Sequence, residues 1–198
     1  MTLFHKMDEY KGEASWAVWD VNTDGRLTGS LPFPIEQALP SIHGRAMFVS
    51  LNPGSDWTTG TPDWSNFHSP DAKHNDIFLA EALVGTAFWG SYMVDLHPDV
   101  VESDSRLVRP KREEIELSVR SLIRQAKMLG DVQTIACVGK SSYDSVVKLS
   151  RLIQADLELS HDAIVGIPHY SLANSGVHKR DPQRYRDLVN AKLSQVAT

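Results

Sequence analysis

Three stretches of the sequence end at side chains that could act on a bound ligand. Each is a mostly apolar run that ends at a polar residue, and these residues are Asn52, Asp95 and His169. An amide can hold a water molecule, a carboxylate accepts hydrogen bonds, and an imidazole can donate one. If the runs are parallel strands, their carboxyl ends share one edge of a sheet, and the three side chains should line one pocket. Taken singly, His169 could be a hydrogen-bonded structural histidine and Asp95 a helix cap or turn acid.

The first run, residues 46–51, leads into a turn of sequence NPGSD that begins at Asn52. Pro53 disfavours the helical region for Asn52, and Gly54 lets the backbone approach a ligand closely. The same residues also make an ordinary turn, which is the alternative explanation.

The elements that would position these residues alternate between strand and helix. Apolar runs bounded by turn residues predict strands at residues 46–51, 89–96, 132–138 and 163–167. Apolar residues at helical spacing predict helices at residues 76–85, 111–129, 141–157 and 182–196. This alternation is typical of a parallel sheet covered by helices. The predicted fold class is α/β: a three-layer α/β/α sandwich with a four-stranded parallel central sheet.

One domain is expected to span residues 1–198, because a chain of this length can form a single sizeable core. Residues 1–45 are predicted to form an N-terminal layer of strand and loop, and residues 46–198 the α/β core. Within the N-terminal layer, residues 16–19 favour a short strand, and residues 34–39 a loop or short helix between prolines.

Two connections, residues 55–76 and 97–110, are long for a compact domain, which is typical of loops that carry function. They contain histidines and acids whose spacing fits no standard metal-ligand pattern: His68, Asp71, His74, Asp76 and His97. We interpret these as solvated loop residues rather than metal ligands.

Composition narrows the class of protein. The net charge of −5 argues against tight non-specific nucleic-acid binding but leaves room for a local basic groove. Basic residues cluster only at residues 109–112 and 179–186. Two interpretations are open: they are solvated helix ends, or they line a groove that binds the phosphates of a nucleic acid.

The single Cys137 excludes an internal disulfide and is expected in the core. Without an 18-residue apolar stretch or a signal sequence, we expect a cytoplasmic protein with no membrane partner.

Two short motifs resemble those of the uracil-DNA glycosylase superfamily. Residues 50–54, SLNPG, resemble its first motif in the form Gly-x-Asn-Pro-Gly, with Ser50 in place of the first glycine. Residues 169–171, HYS, are similar to its His-Pro-Ser motif, with Tyr170 in place of proline. The resemblance covers residues 46–185 and implies a uracil-DNA glycosylase-like fold.

The resemblance implies hydrolytic removal of a flipped base from DNA without metal or cofactor. Asn52 would position the attacking water, and His169 would donate a hydrogen bond to the oxyanion that develops on the base. A neutral imidazole suffices for that. Phe67 is placed like the aromatic against which the family stacks the base, although an ordinary core aromatic is an equal alternative.

The resemblance also implies contacts along single- or double-stranded DNA. Ser55, Ser171 and the backbone N–H groups around Gly54 would contact phosphates, and Leu172 would insert into the duplex. A free nucleotide is the alternative partner, and a monomer is expected.

Asp95 departs from the resemblance, because many members of the superfamily have asparagine there to read uracil. An ionised carboxylate only accepts hydrogen bonds, so it repels the O4 atom of uracil and suits an amino-bearing base. A protonated Asp95 could still read uracil if its pKa were raised. The structural alternative is that Asp95 points away and caps a turn.

Two other functions remain open. An enzyme of N-glycosidic chemistry acting on free nucleosides or nucleotides would suit the acidic net charge, with Asp56 or Asp95 as the candidate nucleophile. A non-catalytic module that binds nucleic acid or nucleotides would keep the fold but not the chemistry; DNA binding without product would indicate it.

Overall fold

The computed structural model of the protein describes residues 2–30, 32–54, 62–69 and 74–196. Within these residues the strands are β1 (Ala14–Trp16), β2 (Ala46–Ser50), β3 (Tyr92–Asp95), β4 (Thr134–Val138) and β5 (Ile164–Ile167). They form one sheet in the order β1-β3-β2-β4-β5. The strands β2 to β5 pair in parallel, whereas β1 is antiparallel to β3. The α/β class is confirmed.

The expected four-stranded sheet is corrected to five strands, because β1 from the N-terminal layer joins its edge. The strand predicted at residues 16–19 lies at Ala14–Trp16. The Trp16 ring is fully buried and packs against Tyr92 and Trp64, with ring centroids 5.1 Å and 5.9 Å away. Aromatic packing across the sheet therefore holds a strand too short to show a pattern of alternation.

The described helices are α1 (Leu3–Lys6), α2 (Ile35–Ala38), α3 (Asp76–Leu83), α4 (Arg112–Leu129), α5 (Lys140–Val147), α6 (Ser150–Leu157), α7 (Ser175–His178) and α8 (Pro182–Leu193). The single helix predicted at residues 141–157 is two, α5 and α6. The Leu149 N–H donates to the Val146 carbonyl at 3.0 Å, which tightens the turn and ends α5. None of the described helices has both the length and the apolar character needed to cross a membrane.

Helices cover both faces of the sheet, because successive side chains of each strand point to opposite sides. Met47 and Val49 belong to a core cluster with side chains of α4, whereas Phe48 belongs to a second cluster with side chains of α3 and α8. Each large apolar side chain that is fully buried contributes about 2 kcal/mol. Cys137 lies in the first cluster, where burial raises the pKa of its thiol to about 12; the core prediction is confirmed.

The amino end of the sheet is closed by backbone packing. Gly90, two residues before the start of β3, has a φ of +92°, and a Cβ there would lie 1.9 Å from the Ser41 carbonyl oxygen. Near the start of β2, a Cβ on Gly44 would lie 2.8 Å from the Leu129 carbonyl oxygen. Neither position has room for a side chain, and the φ of Gly90 is one that other residues rarely adopt.

Candidate functional site

The carboxyl end of the sheet gathers the polar residues that follow the strands. Ser50, the last residue of β2, is the register partner of Asp95, the last residue of β3. His169 follows β5, which is two strands from β2 and therefore about 10 Å away across the sheet. Asn52, Asp95 and His169 thus lie along the same edge.

The Asn52 side chain is held by the loop that follows β3. Its amide nitrogen lies 2.9 Å from the Val100 carbonyl oxygen, 2.8 Å from that of Glu102 and 2.9 Å from that of Pro53. Three acceptors around one nitrogen fix the orientation of the amide. The oxygen Oδ1 makes no hydrogen bond to any described residue, so it is the atom with which Asn52 could hold a water.

Asp95 is buried, with 5% of its surface exposed. Its Oδ2 accepts a hydrogen bond of 2.9 Å from the Asn66 amide. Burial raises the pKa of Asp95 to about 7, and the nearby Glu13 carboxylate raises it as well, while the bond from Asn66 opposes the rise. Near neutral pH the carboxyl is therefore poised between its protonated and ionised forms.

Asn66 and Phe67 reach this edge from the loop at residues 62–69. The Phe67 N–H donates to Asn66 Oδ1 at 3.1 Å, and Phe67 has a φ of +66°. The Phe67 ring is only 6% exposed and packs in the cluster under α3 and α8. In this conformation it is a core aromatic, the alternative that the sequence leaves open, and little of the ring is free to stack on a base.

The His169 ring is half-buried and neutral at ordinary pH. Desolvation, together with the nearby rings of His178 and His74, lowers its pKa to about 4. The Ser171 N–H donates to His169 Nδ1 at 3.0 Å, so the ring proton of the neutral form sits on Nε2. Gly139, at the end of β4, makes room for the ring, because a Cβ there would lie 3.2 Å from the His169 Cβ.

Tyr170, which stands where the motif has proline, connects this edge to α3. Its hydroxyl is hydrogen-bonded to Asp76, and its carbonyl accepts from the Asn75 amide at 3.2 Å. Asp76 also accepts from the Ser69 N–H at 2.7 Å, and burial raises its pKa to about 7. Neither Asn75 nor Asp76 caps α3 through its side chain.

The remaining predicted contact residues lie at the rim. Gly54 is exposed, and a Cβ there would lie 4.0 Å from His74 Cε1, which places the first motif near the ring next to His169. Leu172 is 40% exposed, as a wedge requires. The Ser171 carbonyl accepts from the ring of the fully buried His178, which anchors the Leu172 segment. Ser55 lies outside the described residues, as does Asp56.

The histidines and acids predicted to be solvated are largely buried, which corrects that interpretation. His68 Nε2 lies 3.2 Å from the Trp16 carbonyl oxygen, and His97 Nδ1 lies 2.9 Å from Ser118 Oγ. Asp76 is buried too, His74 is half-buried, and Asp71 lies outside the described residues. In the described part of the chain, no three His, Cys, Asp or Glu side chains are placed to hold a metal ion.

A further basic cluster lies on α1 and α4, so the two clusters at residues 109–112 and 179–186 are not the only ones. Arg120, Arg124 and Lys127 of α4 line a cavity of about 530 Å³ together with Lys6 of α1. Their spacing along α4, every third or fourth residue, could have revealed a common face. Glu116 and Asp156 pair with Arg120 and Lys127, which neutralises half of this charge.

Asn66 is a polar residue of this edge that the sequence does not single out. No local pattern marks Asn66, because its partner Asp95 lies 29 residues away in the chain.

The sequence was compared with protein-family models and with curated proteins, and neither comparison gives a match.

Proposed function

We propose that the carboxyl edge of the sheet is the active site of an N-glycosidic hydrolase that releases a base from DNA. The observation that carries the proposal is a pair of side chains at this edge, the Asn52 amide after β2 and the His169 ring after β5. Asn52 has a fixed amide with a free oxygen, and His169 has a neutral ring with its proton on Nε2. The resemblance to uracil-DNA glycosylases points to the same two residues.

The chemistry needs a water below C1′ of the sugar and a stabilised leaving group. The bond between C1′ and the base nitrogen breaks and its electron pair leaves with the base, while the water oxygen bonds to C1′. The proton that the water gives up passes to solvent, and the released base anion takes up a proton in turn. An amide orients that water through Oδ1 but takes no proton near neutral pH, so the barrier falls mainly through leaving-group stabilisation. The His169 Nε2–H would donate to the base oxygen or nitrogen on which negative charge develops.

The low pKa of His169 suits this role. A ring that remains neutral down to about pH 4 keeps one fixed donor over the whole physiological range. Below that pH the ring gains a charge, and the hydrogen bond from the Ser171 N–H to Nδ1 is lost. We therefore expect base release to fall in acid with an apparent pKa well below that of an ordinary histidine.

The test is an assay for abasic sites on single- and double-stranded oligonucleotides that each carry one natural or deaminated base. With the base that the wild type releases, His169→Gln should slow release by about 100-fold or more, as loss of one donor to a developing oxyanion does elsewhere. Asn52→Ala should slow it as well. His161→Gln is the matched control, because this ring is 94% exposed and lies before β5, at the other end of the strand.

Absence of abasic product for every base would contradict the proposal. Salt-sensitive DNA binding without product would instead indicate a binding module. Equal rates of base release for the wild type and His169→Gln would contradict a catalytic role for the imidazole.

A second candidate is an N-glycosidic enzyme acting on free nucleosides. The loop that Asn52 holds, residues 97–104, carries Asp99 and Glu102 in addition to Asp104, which pairs with Arg106, and the remaining negative charge at the rim disfavours a phosphate backbone. Asp95, a candidate nucleophile, is buried and has one oxygen committed to Asn66. Release of a base from nucleosides but not from oligonucleotides would favour this second function.

A further inference from the structure

Asn66 uses its whole side-chain amide in three hydrogen bonds. Its nitrogen donates to Asp95 Oδ2 at 2.9 Å and to the Glu13 carbonyl oxygen at 2.8 Å. Its oxygen accepts from the Phe67 N–H at 3.1 Å. The residue is 9% exposed, so these partners replace water almost completely.

The chemistry of these partners settles the orientation of the amide. A rotated amide would place its oxygen against the Glu13 carbonyl and its nitrogen against the Phe67 N–H, so both backbone contacts would become repulsive. The nitrogen therefore faces Asp95 Oδ2 at all times. Within the described residues the Asp95 side chain makes no other hydrogen bond, which leaves Oδ1 as its one uncommitted oxygen.

We propose that Asn66 is a positioning residue that commits Asp95 Oδ2 and leaves Oδ1 alone to read the ligand, so that ionised Asp95 selects a base with an exocyclic amino group. This inference rests on the proposed function, because it assumes that a base reaches the carboxyl edge. Beyond that function, Asn66 would fix the orientation of the Asp95 carboxyl, and the protonation state of that carboxyl would decide which base binds.

The surroundings of Asp95 make the rule depend on pH. Glu13 faces it from the segment before β1, Asp76 from α3, and the Tyr170 ring from the segment after β5, while Ser50 beside it on β2 is neutral. These acids and the burial favour the protonated form. Since Oδ2 must accept from Asn66, the proton of that form sits on Oδ1, which then donates to a carbonyl oxygen of the base.

The expected selectivity follows because Asp95 Oδ1 accepts a hydrogen bond when it is ionised and donates one when it is protonated. An amino-bearing base binds the ionised form and an oxo-bearing base the protonated form. The ratio of their affinities should therefore rise about tenfold per pH unit and about 100-fold between pH 6 and pH 8. Protonation of the bases themselves lies outside this range for cytosine and adenine and is measured separately for each base.

The experiment measures binding of the free bases cytosine, uracil, adenine and hypoxanthine by calorimetry across this pH range, so it needs no cleavage. In the wild type the ratios of cytosine to uracil and of adenine to hypoxanthine should rise with pH as stated. In Asp95→Asn both ratios should be independent of pH. In Asn66→Ala the carboxyl is free to turn and loses the bond that favours its ionised form, so the amino preference near pH 8 should fall at least tenfold.

Asn75→Ala is the matched control, because Asn75 also donates to a backbone carbonyl at this edge but does not touch Asp95. It should keep the wild-type ratios. Should Asn66→Ala fail to fold, NMR of the wild type decides instead: the side-chain NH₂ signals of Asn66 should titrate with the same midpoint as the affinity ratio.

Each outcome bears on only one of the two proposals. A pH-independent ratio in the wild type, no binding of any base, or Asn66 signals that do not follow the titration would overturn the role of Asn66, even if abasic product forms. A pH-dependent ratio that needs Asp95 and Asn66 would sustain it, even if no oligonucleotide is cleaved.

Discussion

The two ends of the sheet are built in opposite ways. At the amino end, glycines bring backbone against backbone, as where Gly90 meets the Ser41 carbonyl. At the carboxyl end, buried side chains with polar groups fill the space, and two of them, Asp76 and Asp95, are carboxyls whose pKa values burial raises to about 7. Each end also contains a serine whose buried hydroxyl has no partner among the described residues, Ser91 and Ser50 respectively.

This difference separates the part of the sheet that stabilises the fold from the part that could act on a ligand. Close backbone packing lowers the free energy of the folded state and leaves no group for chemistry. Buried carboxyls raise that free energy, so their presence at one end calls for an explanation beyond stability. Replacing a tightly packed glycine at the amino end should therefore destabilise the protein, whereas replacing a buried carboxyl at the carboxyl end should stabilise it.

The largest effect is expected for Gly90→Ala at the amino end. The new Cβ would lie 1.9 Å from a backbone oxygen at a φ of +92°, so both the contact and the backbone conformation are unfavourable. We expect the free energy of unfolding to fall by at least about 4 kcal/mol, measured by urea denaturation.

Gly54→Ala is the counterpart at the carboxyl end, where the nearest atom of a described residue to a Cβ is 4.0 Å away. It should change the free energy of unfolding by less than about 0.5 kcal/mol. Similar losses for the two variants would show that the ends do not differ in packing.

Asp95→Asn should stabilise the protein, and increasingly so as the pH rises. The folded protein holds the Asp95 proton up to about pH 7, whereas the unfolded chain releases it near the ordinary value of 3.8. The stability contributed by this proton is full below 3.8 and is lost as the pH rises through 7, so wild-type stability falls over that window. The amide of the variant has no proton to lose there, and the variant should gain on the order of 3 kcal/mol at about pH 8 and little at about pH 4.

The measurement is the difference between the unfolding free energies of variant and wild type at several pH values. Taking the difference cancels the opposite contribution of His169, whose lowered pKa makes stability rise with pH between about 4 and 6.5. Asp187→Asn, on the exposed side of α8, is the control and should show no such trend. A constant difference across the pH range would mean that Asp95 is not held protonated by its surroundings.

The parts of this architecture that depend on local pattern could be predicted from the sequence. The four parallel strands follow from apolar runs with turn residues, and because strands of one direction end together, the common edge of Asn52, Asp95 and His169 follows as well. A short strand at residues 16–19 could be predicted, but its actual bounds, Ala14–Trp16, and its antiparallel place in the sheet could not, because its three residues are held by aromatic rings from distant segments. The break at Leu149 depends on a turn geometry that no single residue marks.

The site could be predicted only in outline for a similar reason. Whether Phe67 is a core aromatic or a stacking wall depends on where its loop lies, and the loop position depends on Asn66 bonding to Asp95 and to the Glu13 backbone. The burial of His68 depends on the Trp16 carbonyl of β1 in the same way. Contacts between segments far apart in sequence decide these roles, and sequence pattern carries no distance information about them.

The smallest effects on stability are expected for Ser50→Ala and Ser91→Ala, which compare the two ends of the sheet most closely. Each removes a buried hydroxyl that lacks a partner among the described residues, so each should raise the free energy of unfolding by about 1 kcal/mol. Ser50 lies beside Asp95 on the same face of the sheet, whereas Ser91 directly precedes β3. If bases bind at the carboxyl edge, only Ser50→Ala should change their affinity in calorimetry. Ser91 lies next to the amino end of β3, whereas Asp95 is the last residue of that strand. Equal effects on base affinity would mean that the two ends of the sheet differ in packing but not in ligand binding.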